Sequence, residues 1–252
     1  MKFGLKLWSI NTDFYLKEAV RLYEKGIYDY IELYVVPGSI ETLAEWKKLK
    51  IPFIIHNSHF AQGFNLAKAE KAVRNREIYE QTKRFADELN AKYIIFHGGI
   101  DGNIEETAKQ LANFKEKRAL IENKPFVALP NRMGGEFCRG YNIEEISLVM
   151  KEANCGFCFD FGHAICAANS LKKDVYEYCQ NFLQLSPDMF HLTDINDITS
   201  PFDSHPHLGT GQLDLSVIKN MLPKEAIVTL ETNKNSKENL NDFIGDVQCM
   251  RK

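Results

Sequence analysis

Long hydrophobic runs are missing from this chain. No stretch approaches the roughly 20 apolar residues of a membrane span, and at the start, Met1-Lys2-Phe3-Gly4-Leu5-Lys6-Leu7, Lys6 breaks the apolar run before a signal-peptide core forms. A disulfide framework is missing too: the six cysteines (138, 155, 158, 166, 179, 249) follow no regular spacing over 252 residues, which points to a reducing compartment. Neither charge sign is in excess, with 31 Lys+Arg against 34 Asp+Glu and a net charge of −3. That balance excludes a global pull toward nucleic acid or membrane. Linkers rich in Pro, Gly or Ser are absent, and 44% hydrophobic residues exclude wholesale disorder. The expectation is a cytoplasmic protein with no membrane or protein partner implied.

What the chain does have is a strand-then-helix rhythm. Apolar, β-branched or aromatic runs recur at Phe3 to Leu7, Tyr30 to Val35, Phe53 to His56, Tyr93 to His97, Ala119 to Glu122, Gly156 to Asp160, Met189 to Leu192 and Ala226 to Glu231. Each reads as a strand buried on both faces. Between them, helical spacing runs over Phe14 to Lys25, Ile40 to Leu49, Ala67 to Leu89, Glu105 to Lys117, Ile143 to Ala153, Ser170 to Leu185, Leu215 to Met221 and Lys237 to Val247. In the third of these, Val73, Ile78, Phe85 and Leu89 fall on or near one face. Eight such pairs predict a single (β/α)8 TIM barrel over residues 1–252. An open doubly wound sheet is the runner-up, but Leu7-Trp8-Ser9-Ile10-Asn11 stands where its Gly-rich nucleotide turn belongs.

In a barrel the C-terminal strand ends converge on one mouth, where chemistry sits. All seven histidines fall at or beyond such an end: His56, His59, His97, His163, His191, His205 and His207. Glu122, Asp160 and Glu231 close the fifth, sixth and eighth runs, and Asp194 and Asp203 follow the seventh. Any one of these reads equally well as a helix cap or a hydrogen-bonded structural group. Together they do not, because buried carboxylates are costly unless cations neutralise them. Imidazole with carboxylate and no thiolate cluster suits Zn²⁺ or Mn²⁺. Asp160-Phe161-Gly162-His163 reads as a tight turn permitted by Gly162, and Asp203-Ser204-His205 as an extended segment whose ends point the same way. Leu208-Gly209-Thr210-Gly211 would let backbone crowd a ligand or phosphate, a weak signal alone.

These residues resemble the xylose-isomerase-like superfamily of barrels, and within it the endonuclease IV type of abasic-site nuclease. The closer likeness rests on Asp203-x-His205-x-x-Leu208-Gly209-x-Gly211, Cys158-x-Asp160-x-x-His163, Leu230-Glu231-Thr232, Glu122-Asn123 and His56-x-Ser58. The resemblance implies three divalent ions: one on His56, His97 and Glu122; one on Glu122, Asp160, His191 and Glu231; and one on His163, Asp203 and His205. It also implies catalytic roles for Glu122, Asp160 and Glu231. The loop Val36-Pro37-Gly38-Ser39 has no basic residue where that type offers an arginine to DNA, and His59-Phe60 only partly keeps its aromatic-apolar pair.

Two activities follow. The first is metal-dependent hydrolysis of phosphodiesters, abasic-site DNA among them, with three ions lowering the pKa of water and neutralising developing charge. The second is isomerisation or epimerisation of a sugar or sugar phosphate on one ion, with Glu122 and Glu231 as the acid/base pair. A third, less favoured reading is a metal-binding barrel without activity. Five otherwise surplus donors, His56, His97, His163, Asp203 and His205, favour hydrolysis.

Other candidates surround this set. The long loop at about 124–141 reads as a lid over the mouth, with Arg132 and Arg139 as clamps for a phosphate or carboxylate. Trp8, His59, Phe60 and His207 are further candidates for substrate contact. Lys68, Lys71, Arg74 and Arg76 read as a solvated helix face, and Cys155-Gly156-Phe157-Cys158 as packing.

Overall fold

The computed structural model describes residues 1–130 and 133–252. Parallel strands close into a barrel in chain order: β1 (Lys2–Trp8), β2 (Tyr30–Tyr34), β3 (Phe53–His56), β4 (Ile94–His97), β5 (Ala119–Glu122), β6 (Gly156–Asp160), β7 (Met189–Leu192) and β8 (Ile227–Leu230). Around it run α1 (Leu16–Glu24), α2 (Leu43–Trp46), α3 (Ala72–Glu88), α4 (Ile104–Phe114), α5 (Ile143–Ala153), α6 (Phe161–Ser170), α7 (Val175–Leu183), α8 (Leu215–Met221) and α9 (Asn241–Arg251). The predicted strands match within a residue or two. No described helix is long and apolar enough to cross a membrane.

The pleat of each strand sends alternate side chains outward and inward. Outward go Leu33, Ile55, Phe96, Ile121, Phe159, Phe190 and Val228, which pack under the helices in the main core. Inward, Tyr30, Ile54, Ile95, Leu120, Cys158 and Met189 form a separate apolar floor across the barrel. Tyr30 reaches that floor because β1 carries Gly4 opposite it; a Cβ on Gly4 would lie 2.3 Å from the tyrosine ring.

Three local expectations need correction. Asp160 to His163 is no tight turn: α6 starts directly after β6, and the Asp160 carboxylate caps it by accepting from the His163 amide at 2.8 Å. Gly162 sits in helical backbone, and the run to Ala168 is buried all round, which is why it showed no amphipathic period. Val73 is 75% exposed, so the apolar face of α3 runs through Ile78, Tyr79, Phe85 and Ala86 without it. The helix expected over Ile40 to Leu49 shrinks to a 3₁₀ turn and the four residues of α2.

The segment between β5 and α5 folds back on the end of β4. Antiparallel bridges join Ile100 to Cys138 and Val127 to Phe137, and Phe126 packs on Phe137 and Tyr141 with ring centroids 5.0 and 4.5 Å away. Gly98 makes this approach feasible, since a Cβ there would lie 2.4 Å from the Arg139 carbonyl oxygen.

Candidate metal centre

Two residues beyond each floor position the pleat turns the next side chain inward. Above Tyr30 stands Glu32, above Ile54 His56, above Ile95 His97, above Leu120 Glu122, above Cys158 Asp160 and above Met189 His191. On the remaining strands Lys6 follows Gly4, and Glu231 follows Thr229. Every strand thus contributes one polar side chain to a ring at the mouth. His163 joins from the first turn of α6, and Asp203 and His205 from the irregular segment after β7.

The ring centres on Glu122, which is almost fully buried. Its Oε2 lies 3.0 Å from both His56 Nε2 and His97 Nε2, and its Oε1 lies 3.0 Å from His163 Nδ1. His191 Nδ1 faces Glu231 Oε1 at 3.1 Å, Glu122 Oε2 at 3.7 Å and Asp160 Oδ2 at 3.9 Å. Asp203 Oδ2 lies 3.3 Å from His163 Nε2 and 2.9 Å from His205 Nε2. Of the three donor sets implied by the resemblance, His56, His97 and Glu122 meet as a set, while the members of the other two neighbour one another pairwise and are shared among differently composed groups. Donor atoms of His56, His97 and Glu122, of Glu122, Asp160 and His163, and of Glu32, His56, His191 and Glu231 lie close enough together to hold ions.

Three imidazoles, those of His56, His191 and His205, are aimed as metal ligands are aimed, one nitrogen on an outer acceptor and the other toward the acids. His56 Nδ1 donates to the Asn57 carbonyl, His205 Nδ1 to the Glu231 carbonyl and His191 Nε2 to Glu32. Glu32 in turn accepts from Thr229 Oγ1 at 2.6 Å, and Tyr30 donates to that hydroxyl. Two buried nitrogens, His97 Nδ1 and His191 Nδ1, have no hydrogen-bond partner. Orphaned buried donors or acceptors are rare unless something else engages them.

Charge gives the same answer. Among the described residues, the only lysine or arginine groups within 4 Å of Glu32, Glu122, Asp160, Asp203 or Glu231 are Lys6 and Lys124. Burial lifts the Asp160 carboxyl above its usual value, and repulsion from Glu122, Glu231 and Asp203 adds to the lift against the pull of His163. Burial alone would lower His191, yet Glu231, Glu32 and Glu122 hold it well above the ordinary imidazole range. The ring recruits protons because it has surplus negative charge, and divalent ions would displace those protons. The residues fit a divalent metal centre.

Sequence reading missed Glu32, Lys6 and Lys124. Lys6 Nζ donates to Glu32 Oε1 and Glu231 Oε1, each at 2.5 Å. Lys124 Nζ lies 2.9 Å from His163 Nε2 and 3.7 Å from Glu122 Oε1. The available signal was a lone charge inside an apolar strand, Tyr30-Ile31-Glu32-Leu33-Tyr34 and Phe3-Gly4-Leu5-Lys6-Leu7, since such residues are rarely buried without a partner.

The ring opens into a cavity of about 440 Å³, a size suited to a small ligand. Trp8, His59 and Phe60 line it; Trp8 is 43% exposed, its ring 4.9 Å from that of Tyr34. Burial, with Lys124 and His56 nearby, drops His59 to about 3, so its ring is neutral. Leu129 and Met133 of the long loop also border the cavity. Arg139 does not: its guanidinium is spent on the Asp101 and Gly102 carbonyls and on Glu145. His207 is turned away from the cavity too, its Nδ1 2.9 Å from Asp246 Oδ2. Arg132 lies outside the described residues. The Gly209 and Gly211 amides crowd a carboxylate of the chain itself, donating to Asp194 Oδ2 at 2.8 and 3.0 Å. Arg74 and Arg76 pair with Glu77 and Glu80 on the surface of α3.

A probable endonuclease 4 of Mycobacterium ulcerans is 28% identical over 184 residues, 71% of each chain. A D-tagatose 3-epimerase-like protein superposes with a TM-score of 0.73 at 18% identity, over 100% of this chain and 96% of that one. Endonuclease IV from Thermus thermophilus superposes with a TM-score of 0.69 at 18% identity, over 100% and 98%. At such identities the two structures speak for the fold alone. The model for the family described as xylose isomerase-like TIM barrel matches residues 23–252. With the closed barrel, and with that match running from α1 to the C-terminus, the chain belongs to the xylose isomerase-like TIM barrel family.

Proposed function

We propose that this chain is a metal-dependent hydrolase of phosphodiesters that works with more than one ion. One observation carries the reading: His163, Asp203 and His205 gather within 3.3 Å contacts beside the ring built on Glu122. In a reaction on a single ion that third donor set would be left to hydrogen-bond substrate hydroxyls. The sequence likeness to a probable endonuclease 4 supports the same reading.

His56, His97 and Glu122 would hold one ion, Glu122, Asp160, His191 and Glu231 a second, and His163, Asp203 and His205 a third. Bound zinc or manganese supplies a lowered pKa for water and charge neutralisation at phosphorus. The chain itself does the rest. Glu122, Asp160 and Glu231 are the catalytic carboxylates, Glu122 being shared between two sets. Trp8, neutral His59 and Phe60 provide a wall that orients the substrate and keeps bulk water off one side. Residues 1–252 act as one barrel domain, and the segment at about 124–141 is its lid, with Leu129 and Met133 on the inner face.

A second reading, isomerisation of a sugar or sugar phosphate, draws on the placement of Lys6 and Lys124. Their ammonium groups bring fixed positive charge where ions would otherwise be needed, leaving one ion and Glu122 with Glu231 as acid and base. Elemental analysis of protein purified with zinc or manganese, with assays on abasic-site DNA and a ketose panel, separates the two. Two or more ions per chain and strand cleavage are expected. A single ion together with ketose turnover would replace the hydrolase reading by the isomerase one.

A further inference from the structure

Among the described residues, three lysines line the cavity, and two of them are neutralised: Lys6 by Glu32 and Glu231, Lys124 beside Glu122 and His163. The third, Lys234, has no carboxylate within 4 Å among the described residues. Its Nζ has one hydrogen-bond partner, the Thr232 carbonyl oxygen at 2.6 Å, so two of its N–H groups are left for something else. The ammonium also lies over the Phe243 ring, 6.0 Å from its centroid.

The rim on which Lys234 sits is fixed rather than loose. Tyr15, just before α1, holds a left-handed backbone with φ 68°, an uncommon conformation for a bulky residue. Its hydroxyl donates to the Ser236 carbonyl at 2.7 Å, tying the loop after β1 to the loop after β8. Both loops border the cavity, the first with Trp8, Asn11 and Tyr15, the second with Asn233 and Lys234. Local strain that the surroundings over-determine often marks a binding site. Burial also lowers the Lys234 ammonium to about 8, against the pull of Asp242 and Asp246, as expected for a cation with no close counter-ion.

We propose that Lys234 and Trp8 form a subsite for the non-reacting end of a phosphorylated sugar, the sugar ring against the Trp8 face and the phosphate on the Lys234 ammonium. The inference rests on reading this cavity as the substrate site, and it names a substrate feature that the metal ring does not. An aromatic face and an ammonium without a close counter-ion, lining one cavity, recognise that pairing: the ring covers apolar C–H surface while the ammonium gains a charge-assisted bond. The same chemistry occurs in a free sugar phosphate and in a phosphate flanking the reacting bond of a nucleic-acid strand.

Calorimetric titration of metal-loaded protein tests the subsite. Ribose 5-phosphate should bind at least tenfold more tightly than ribose, and Lys234→Met should remove that difference while leaving zinc content unchanged. Lys234→Arg should restore most of it, and Trp8→Ala should weaken both sugars alike. A short oligodeoxynucleotide carrying one abasic site is the second arm. If its affinity falls tenfold in Lys234→Met and that of ribose 5-phosphate is Lys234-dependent too, the subsite takes either source. If only one ligand depends on Lys234, that ligand names the source. Affinities for ribose 5-phosphate and for the oligodeoxynucleotide that are both unchanged in Lys234→Met, or a loss that Lys234→Arg restores for neither ligand, overturn the subsite. Neither result touches ion stoichiometry or strand cleavage, on which the hydrolase reading stands or falls separately.

Discussion

Glu32 holds His191 from behind: Oε2 receives the Nε2–H at 2.9 Å, with both side chains fully buried. This contact fixes the ring orientation, so that Nδ1, once an ion has displaced its proton, would offer its lone pair on the side where Glu122, Asp160 and Glu231 stand. An outer carboxylate of this kind typically contributes 10–100-fold to metal affinity. Glu32→Gln keeps the shape but weakens the acceptor, and it also strips one partner from Lys6. Zinc affinity should fall by about that factor, measured by competition with a chromogenic chelator. Circular dichroism at the same temperature guards against simple unfolding. Unchanged affinity in a folded variant would mean that His191 is no ligand.

Lys124 makes the opposite prediction. Its ammonium, 2.9 Å from His163 Nε2, competes for a nitrogen that the third donor set needs. Burial and Lys124 pull His163 down, but Asp160 and Asp203 outweigh them and raise it to about 10, so an ion entering the third set must displace a proton from this ring while the Lys124 ammonium stands against it. Lys124→Met removes a like charge from that set, so zinc occupancy per chain should rise, with the weakest-bound ion held at least tenfold more tightly. Elemental analysis after dialysis at fixed zinc reads this directly. Equal occupancy in the two proteins would show that Lys124 swings clear when ions bind.

The barrel was legible because strands buried on both faces leave near-continuous apolar runs, and the runs ending in His56, Glu122, Asp160 and Leu192 end where the strands do. The mouth was legible for a related reason: ligand-type residues stop such runs. Glu32 and Lys6 escaped notice because they sit inside runs, where a charge resembles a blemish in a strand rather than a member of a ring. Recognising them requires the register that puts Glu32 two residues beyond the floor residue Tyr30. Arg139 and His207 were misplaced because sequence does not tell which way a loop side chain turns; here carbonyls at 101 and 102 and the Asp246 carboxylate claim them. α6 was hidden by its own burial.

Stability should depend on acid through a cluster far from the metal ring. Arg118, just before β5, donates to Glu116 Oε1 through Nε and to Glu116 Oε2 and Asp87 Oδ1 through Nη2, each at 2.8 Å, so it ties β5 to the end of α3. Burial raises the Glu116 carboxyl, but the Arg118 bonds and the Tyr79 hydroxyl more than offset this and leave it below its usual value. Asp87 is lowered likewise, with Lys83 and Arg118 opposing its burial. A carboxyl depressed in the folded state stabilises fully above its unfolded value, about 4, and that contribution fades as pH falls through the folded value. Arg118→Met should therefore cost about 1 kcal/mol at pH 7, since the arginine is partly exposed and screened. The gap between variant and native protein should then close below about pH 4. Urea denaturation of both proteins across that range reads the difference, and a gap that persisted at low pH would assign the cost to lost packing of the Arg118 stem rather than to charge.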